Sequence, residues 1–291
     1  MAYTKLEIAR VLARIDNLPT LPIVASELLK MLGNLNVSMT SISKIMNNDP
    51  SITAKVLKIA NSAYYSLRKE VDTLRMALVV LGINEITNII VSLSLMKLFK
   101  SEKNDLFDHS SFWKHNIYTA HFSKAISKYF KLPYHGEEFT AGLMHDIGKI
   151  VFDQYFHEEF INTLTAHKTS QNSNPLQLEK EIIGATHQEL GLWLSEVWKI
   201  PQNIRQVVSY HHVPELCILE KELTCVINIA NLWTNYIEDN EKYKQQFENL
   251  EKSYAWTFLS KGAVYSVKVL SLKIEKEIEI ADQFINQMLS N

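Results

Sequence analysis

Glycine (8) and proline (7) together supply only 15 of the 291 residues, and this scarcity of turn-formers restricts the chain to long elements joined by short connections. The two residue types usually make up about 12% of a soluble protein. The apolar residues then select the element. Ile23, Leu28, Leu29 and Leu32 recur at helical spacing, as do Ile52, Val56, Leu57, Ile59 and Ala60, whereas period-two alternation is nearly absent. Asp49 before Pro50 is an N-cap acceptor followed by a proline at the first helical position, where its missing N–H costs nothing. Asp108 opens a helix over 110–130 in a similar way, and Gly82 stops a helix that begins near Thr73. The expected fold class is all-α.

A polar stretch over 100–108 divides about five helices from everything after it, so two lobes are expected: residues 1–106 as an N-terminal helical bundle and 107–291 as a second helical lobe with a C-terminal helical extension. A polar loop over 168–175 lies on the surface. Further helices are expected over 176–183, 185–198, 202–211, 221–236 and 271–288. The last carries Ile274, Ile278, Ala281, Phe284, Ile285 and Met288 on one face that packs on its own lobe or pairs with another copy. Trp193, Leu194, Trp198, Tyr64 and Tyr65 read as packing residues. Asn61 and Ser62, polar at an otherwise apolar helix end, are expected to bond backbone at the contact between lobes.

Lys+Arg 30 against Asp+Glu 32 gives a net charge of -2, which provides no cationic field for nucleic acid. Cys217 and Cys225, eight apart in apolar surroundings, read as reduced buried thiols of a cytoplasmic chain. The longest apolar run, 76–83, is far short of the roughly 18 residues that cross a bilayer, and residues 1–14 lack the apolar core of a signal peptide, so no membrane association is expected.

The chemistry gathers in six positions expected on separate helices: His115, His145, Asp146, His187, His211 and His212. Imidazole and carboxylate together suit Fe, Mn or Zn, and Asp146 as a bridging carboxylate would hold two such divalent ions about 3.5 to 4 Å apart. Lys149 falls one helical turn after His145, where its ammonium would face an anion, phosphate above all. Each piece also has a plainer reading. A histidine on an amphipathic helix is more often a hydrogen-bonded core or surface residue, and Gly148 would serve to end a helix in the left-handed conformation.

These residues resemble the HDOD family, the HD-related output domain of bacterial signalling proteins, over about residues 18–236. The N-terminal part of the resemblance is carried by Leu18-Pro19-Thr20-Leu21-Pro22, Asn48-Asp49-Pro50-Ser51-Ile52-Thr53, Ile59-Ala60-Asn61-Ser62-Ala63 and the run from Ala77 to Gly82. The later part is carried by Phe112-Trp113-Lys114-His115, the segment from Gly142 to Lys149, Thr186-His187-Gln188-Glu189-Leu190-Gly191, Trp198-Lys199-Ile200-Pro201 and His211-His212. The resemblance implies that His115, His145, Asp146, His187, His211 and His212 match the metal ligands of active HD phosphohydrolases, and Lys149 the lysine near the scissile phosphate. The final aspartate of that pattern is replaced by Asn231, a neutral and weaker ligand. It therefore implies a stand-alone signal-transduction protein that binds a partner protein or a small-molecule ligand without catalysis. The alternative is a metal-dependent phosphohydrolase of a nucleotide or cyclic dinucleotide, with Lys149 catalytic, and a bare scaffold is a third reading.

Overall fold

The computed structural model describes residues 10–15, 18–32, 38–46, 49–62, 65, 69–98, 107–169 and 174–289. Sixteen α-helices, two short 3-10 turns and no strand occur among these residues. The first five are α1 (Ile23–Met31), α2 (Met39–Met46), α3 (Pro50–Ala60), α4 (Leu74–Leu81) and α5 (Ile83–Leu98). Then come α6 (His109–Tyr129), α7 (Glu137–Met144), α8 (Gly148–Tyr155), α9 (His157–Thr169) and α10 (Pro175–Ile182). The remainder are α11 (His187–Val197), α12 (Gln202–Tyr210), α13 (Lys221–Glu238), α14 (Asn240–Glu248), α15 (Tyr254–Ser260) and α16 (Val267–Leu289).

Local chemistry sets the helix starts. Asp49 Oδ1 accepts the backbone N–H of Ser51 and of Ile52, both at 3.1 Å, with Pro50 opening α3. Asp108 caps α6 through the N–H groups of Ser110 and Ser111, each at 3.0 Å. Thr186 and Glu189 close a reciprocal capping box that fixes His187 as the first residue of α11. Gly82, at φ 84, ends α4, and α5 departs from it at 116°. No single helix among the described residues is long and apolar enough to cross a membrane.

Two helices organise the packing. Ten consecutive residues of α5, Ile86 to Leu95, are buried, as in a helix surrounded by protein on all sides. It packs against α1, α3 and α4 and meets α7. Helix α6 is the centre of the later segment, covered by α7, α13 and α16. One continuous cluster of buried apolar side chains runs through both segments, from Leu28 and Ile59 through Ile89 and Phe122 to Phe284. Lys124 on α6 pairs with Glu85 on α5 at 2.9 Å, tying the segments on their polar side.

Several expectations need correction. Helix α16 starts at Val267, earlier than its apolar stripe suggested, because Ser266 anchors the preceding turn: its N–H donates to Tyr129 Oη at 2.8 Å, and that hydroxyl donates to the Ser266 carbonyl at 3.1 Å. Helices α14 and α15 were not foreseen; α14 has no buried residue, so it carries no periodic apolar signal. Asn61 does bond backbone, taking both the N–H and the carbonyl of Val71 at 2.7 and 2.8 Å, but Val71 belongs to the same N-terminal segment. That pair stitches a local loop and leaves the lobe contact to other residues. Residues 99–106 and 170–173, which contain most of the expected boundary and surface loop, and Tyr64 lie outside the described residues. Cys217 and Cys225 are free and buried. Burial pushes the Cys225 thiol up to about 12, so it stays protonated.

Candidate metal centre

Two glycines let the backbones approach closely enough to build the centre. A Cβ on Gly142 would lie 2.6 Å from the Ala120 Cα, so α7 can rest on α6 only without one. A Cβ on Gly148 would fall 1.9 Å from the His187 carbonyl oxygen, so α8 meets the start of α11 in the same manner. Gly148 therefore begins a helix; the expectation of a left-handed stop fails because the chain there is held by this contact with α11.

Within this frame the six expected donors come together in two groups that share Asp146: Asp146 with His187, His211 and His212, and Asp146 with His115 and His145. In each group the donor atoms lie within 4.8 Å of one another. They do not sit on six separate helices. His115 lies within α6 and His187 opens α11, whereas His145, Asp146, His211 and His212 occupy the residues just after α7 and α12.

The Asp146 carboxylate divides its oxygens between the groups. Oδ1 lies 3.3 Å from His187 Nε2 and 3.5 Å from His211 Nε2. Oδ2 lies 3.5 Å from His145 Nε2, 3.8 Å from His115 Nε2 and 2.5 Å from the Lys149 ammonium. Lys149 was expected to point at an anion above the metals; it is instead engaged with Asp146 itself. Burial would raise the Asp146 carboxyl, but Lys149 and then His145 outweigh it and hold the group well below the usual carboxylate range. Lys149 responds in kind: burial lowers it, Asp146 raises it more, and it remains charged.

Four of the five surrounding imidazoles are fixed through their other nitrogen. His145 Nδ1 donates to the Gly142 carbonyl at 2.7 Å, and His211 Nδ1 to the Val208 carbonyl at 3.1 Å. His187 Nδ1 donates to Glu179 Oε1 at 2.8 Å, and His115 Nδ1 to Glu238 Oε2 at 2.9 Å. Carbonyls and carboxylates only accept, so the protons of His145, His187 and His211 sit on Nδ1 and their Nε2 lone pairs face inward. His187 Nε2 thus stands 3.3 Å from His211 Nε2 and 3.2 Å from His212 Nε2. Burial holds His145, His211 and His212 below the usual imidazole value. Lone pairs converging on a buried carboxylate need a cation, and two of these atoms, His145 Nε2 and Asp146 Oδ1, are buried with no hydrogen-bond partner. The donor set therefore fits a divalent transition metal.

Sequence reasoning did not find Glu179 or Glu238. Glu179 is 3% exposed and takes both the backbone N–H and the Nδ1–H of His187, yet in the sequence it is one of two acids in α10. Asn231 stands where the resemblance placed it: its Oδ1 is 3.1 Å from His115 Nε2 and accepts from Asn235 Nδ2 at 3.0 Å. Trp198, 6% exposed, is a core residue whose indole N–H also donates to the Pro19 carbonyl at 3.0 Å.

An all-helical two-segment chain with an Asp-centred nest of histidines defines a class, and sequence comparison gives it a family. The HDOD domain model matches residues 18–214, and the chain belongs to that family. An uncharacterized protein of Treponema pallidum (strain Nichols) is 24% identical over 239 residues, which are 81% of this chain and 46% of that protein, so the chain spans about half the relative's length. The fold is that of an HDOD domain protein of unknown function from Geobacter sulfurreducens, at TM-score 0.85 and 21% identity over 98% of both chains. It is shared by a Shewanella amazonensis SB2B protein provisionally named a phosphohydrolase, at TM-score 0.73 and 23% identity over 96% of this chain and 97% of that one. A Marinobacter aquaeolei VT8 protein provisionally named for signal transduction also shares it, at TM-score 0.78 and 18% identity over 98% of this chain and 66% of that one.

Proposed function

We propose that this chain is a signal-transducing HDOD protein that acts by binding, with one divalent ion held by Asp146, His187, His211 and His212, and that it does not cleave phosphoesters. The inequality of the two faces of Asp146 carries this reading. Each oxygen faces two histidines, with His212 beside the Oδ1 pair, but Oδ2 is already paired with Lys149 and its His115 adjoins the amide of Asn231. A second cation at Oδ2 would be repelled by the ammonium and would lack the carboxylate an aspartate at 231 would supply. Hydrolysis by two metals requires both ions, one for each of the attacking and leaving oxygens. A single ion would instead lock the ends of α7, α11 and α12 in one arrangement, as structural ions do. The output is then a signalling protein partner or a small ligand, and the two unpaired buried thiols support a reducing, cytoplasmic setting.

Elemental analysis of the full chain purified without chelator should find about one equivalent of Fe, Mn or Zn, absent from Asp146→Ala. The same preparation, supplied with Mn or Fe, should leave phosphodiesters intact. Turnover that disappears in Asp146→Ala would overturn the proposal, as would a chain that takes up no metal. The second reading, a metal-dependent phosphohydrolase, is favoured by one observation: the two donor groups share a single carboxylate, as a bridged pair of ions would require. It calls for about two equivalents together with turnover.

A further inference from the structure

A cavity of about 580 Å³ opens beside the centre, with His212 and Asn231 as its shared wall. This is within the usual range for small-ligand sites. Asn235 on α13 and Lys242, Tyr243 and Gln246 on α14 also line it, all beyond residue 214, where the family match ends. Asn174 and Asn228 add two more amides. No carboxylate occurs among the described lining residues, and Lys242 is the permanent charge there.

The Lys242 ammonium is hydrogen-bonded to uncharged groups. It lies 2.8 Å from His167 Nε2 and 3.5 Å from the His167 carbonyl. Asp239, near it in sequence, spends Oδ1 on the Lys242 backbone N–H at 3.1 Å. An ammonium in a polar cavity lacking a carboxylate attracts an anion, and amide side chains both donate and accept. The anion's other side would meet the wall formed by His212, next to the proposed ion. A phosphate has more acceptor oxygens to share between the two than a single carboxylate.

We propose that this cavity binds a small organophosphate, with Lys242 holding the phosphate and the amides of Asn235 and Gln246 reading the organic part. The contribution of the His212 wall rests on the metal reading above; the role of Lys242 does not.

The test uses the full chain as purified, titrated calorimetrically with inorganic phosphate, a nucleoside 5′-monophosphate, a sugar phosphate and malonate. One of the two esters should bind more tightly than either phosphate or malonate. Lys242→Met should weaken that ester about tenfold or more, the scale of a lost charge-assisted hydrogen bond, and Lys242→Arg should restore most of it. Gln246 is exposed, so Gln246→Ala does not endanger folding; it should alter the preference between the two esters and leave inorganic phosphate unchanged. The proposal is overturned if neither ester binds, if malonate binds as well as the better ester, or if both Lys242→Met and Gln246→Ala stay within about twofold of the parent chain. Metal content measured on the same samples separates the two readings. Ester binding that depends on Lys242 in a metal-free chain keeps the cavity and sinks the metal centre, whereas a metal-loaded chain that binds no ester does the reverse.

Discussion

Four imidazoles at the centre take their orientation from what their outer nitrogens touch, so the acids and carbonyls behind them matter as much as the ligands. Glu179→Gln should therefore lower metal affinity by about 10- to 100-fold, read by competition with a chelator, because His187 loses the carboxylate that fixes its tautomer. Asn231→Asp makes the complementary case. A carboxylate beside His115 should raise the metal content from about one equivalent to about two, and an unchanged stoichiometry would mean that Lys149 alone blocks the second position. A different histidine sets an acid limit on stability. His121 is fully buried between Phe139 and Phe284, and burial holds it below the usual imidazole value although Glu277 pulls it upward. Between the folded and the unfolded value only the unfolded chain carries the proton. Stability should thus fall as pH drops through about 6.5, by up to about 1.4 kcal/mol per pH unit, and His121→Phe should flatten that slope in denaturant titrations.

At the scale of elements, the close approaches decide where helix ends meet. Gly148→Ala places a methyl group against the His187 carbonyl, which belongs to backbone and cannot swing away. It should cost about 1 to 3 kcal/mol and release metal as well, since α8 and α11 are pushed apart at the ligands. Asp49→Ala provides a contrast: it removes the cap of α3, far from the centre, and should cost about 1 kcal/mol without changing metal content. The caps at Asp49 and Asp108 were readable because capping is local chemistry between a side chain and the next two or three N–H groups. Helix α14 was not readable, because a helix with no buried residue has no apolar stripe to betray it.

Over the whole molecule, the expected lobes share one apolar cluster, and α16 closes it by laying Leu270, Ile274, Ala281 and Phe284 against the body of the later segment. Tyr118 on α6 donates to Asp282 on α16, a polar clasp on that joint. Calorimetry should accordingly show one unfolding transition whose calorimetric and van't Hoff enthalpies agree. Two resolved transitions would make the segments independent folding units.

Read alone, the sequence determined the all-helical class, several helix starts and the six side chains that converge, because periodicity, caps and ligand chemistry are written in side-chain type and spacing. The family resemblance marked Asn231 as the departure from the pattern. Only the tertiary structure decided that Asp146 turns a different oxygen to each group of histidines, that Lys149 occupies one of those oxygens, and that Glu179 and Glu238 stand behind the ring nitrogens. Those facts depend on distances between residues up to 123 positions apart in the chain. Such distances follow from how closely helices pack, which Gly142 and Gly148 allow and no local pattern records.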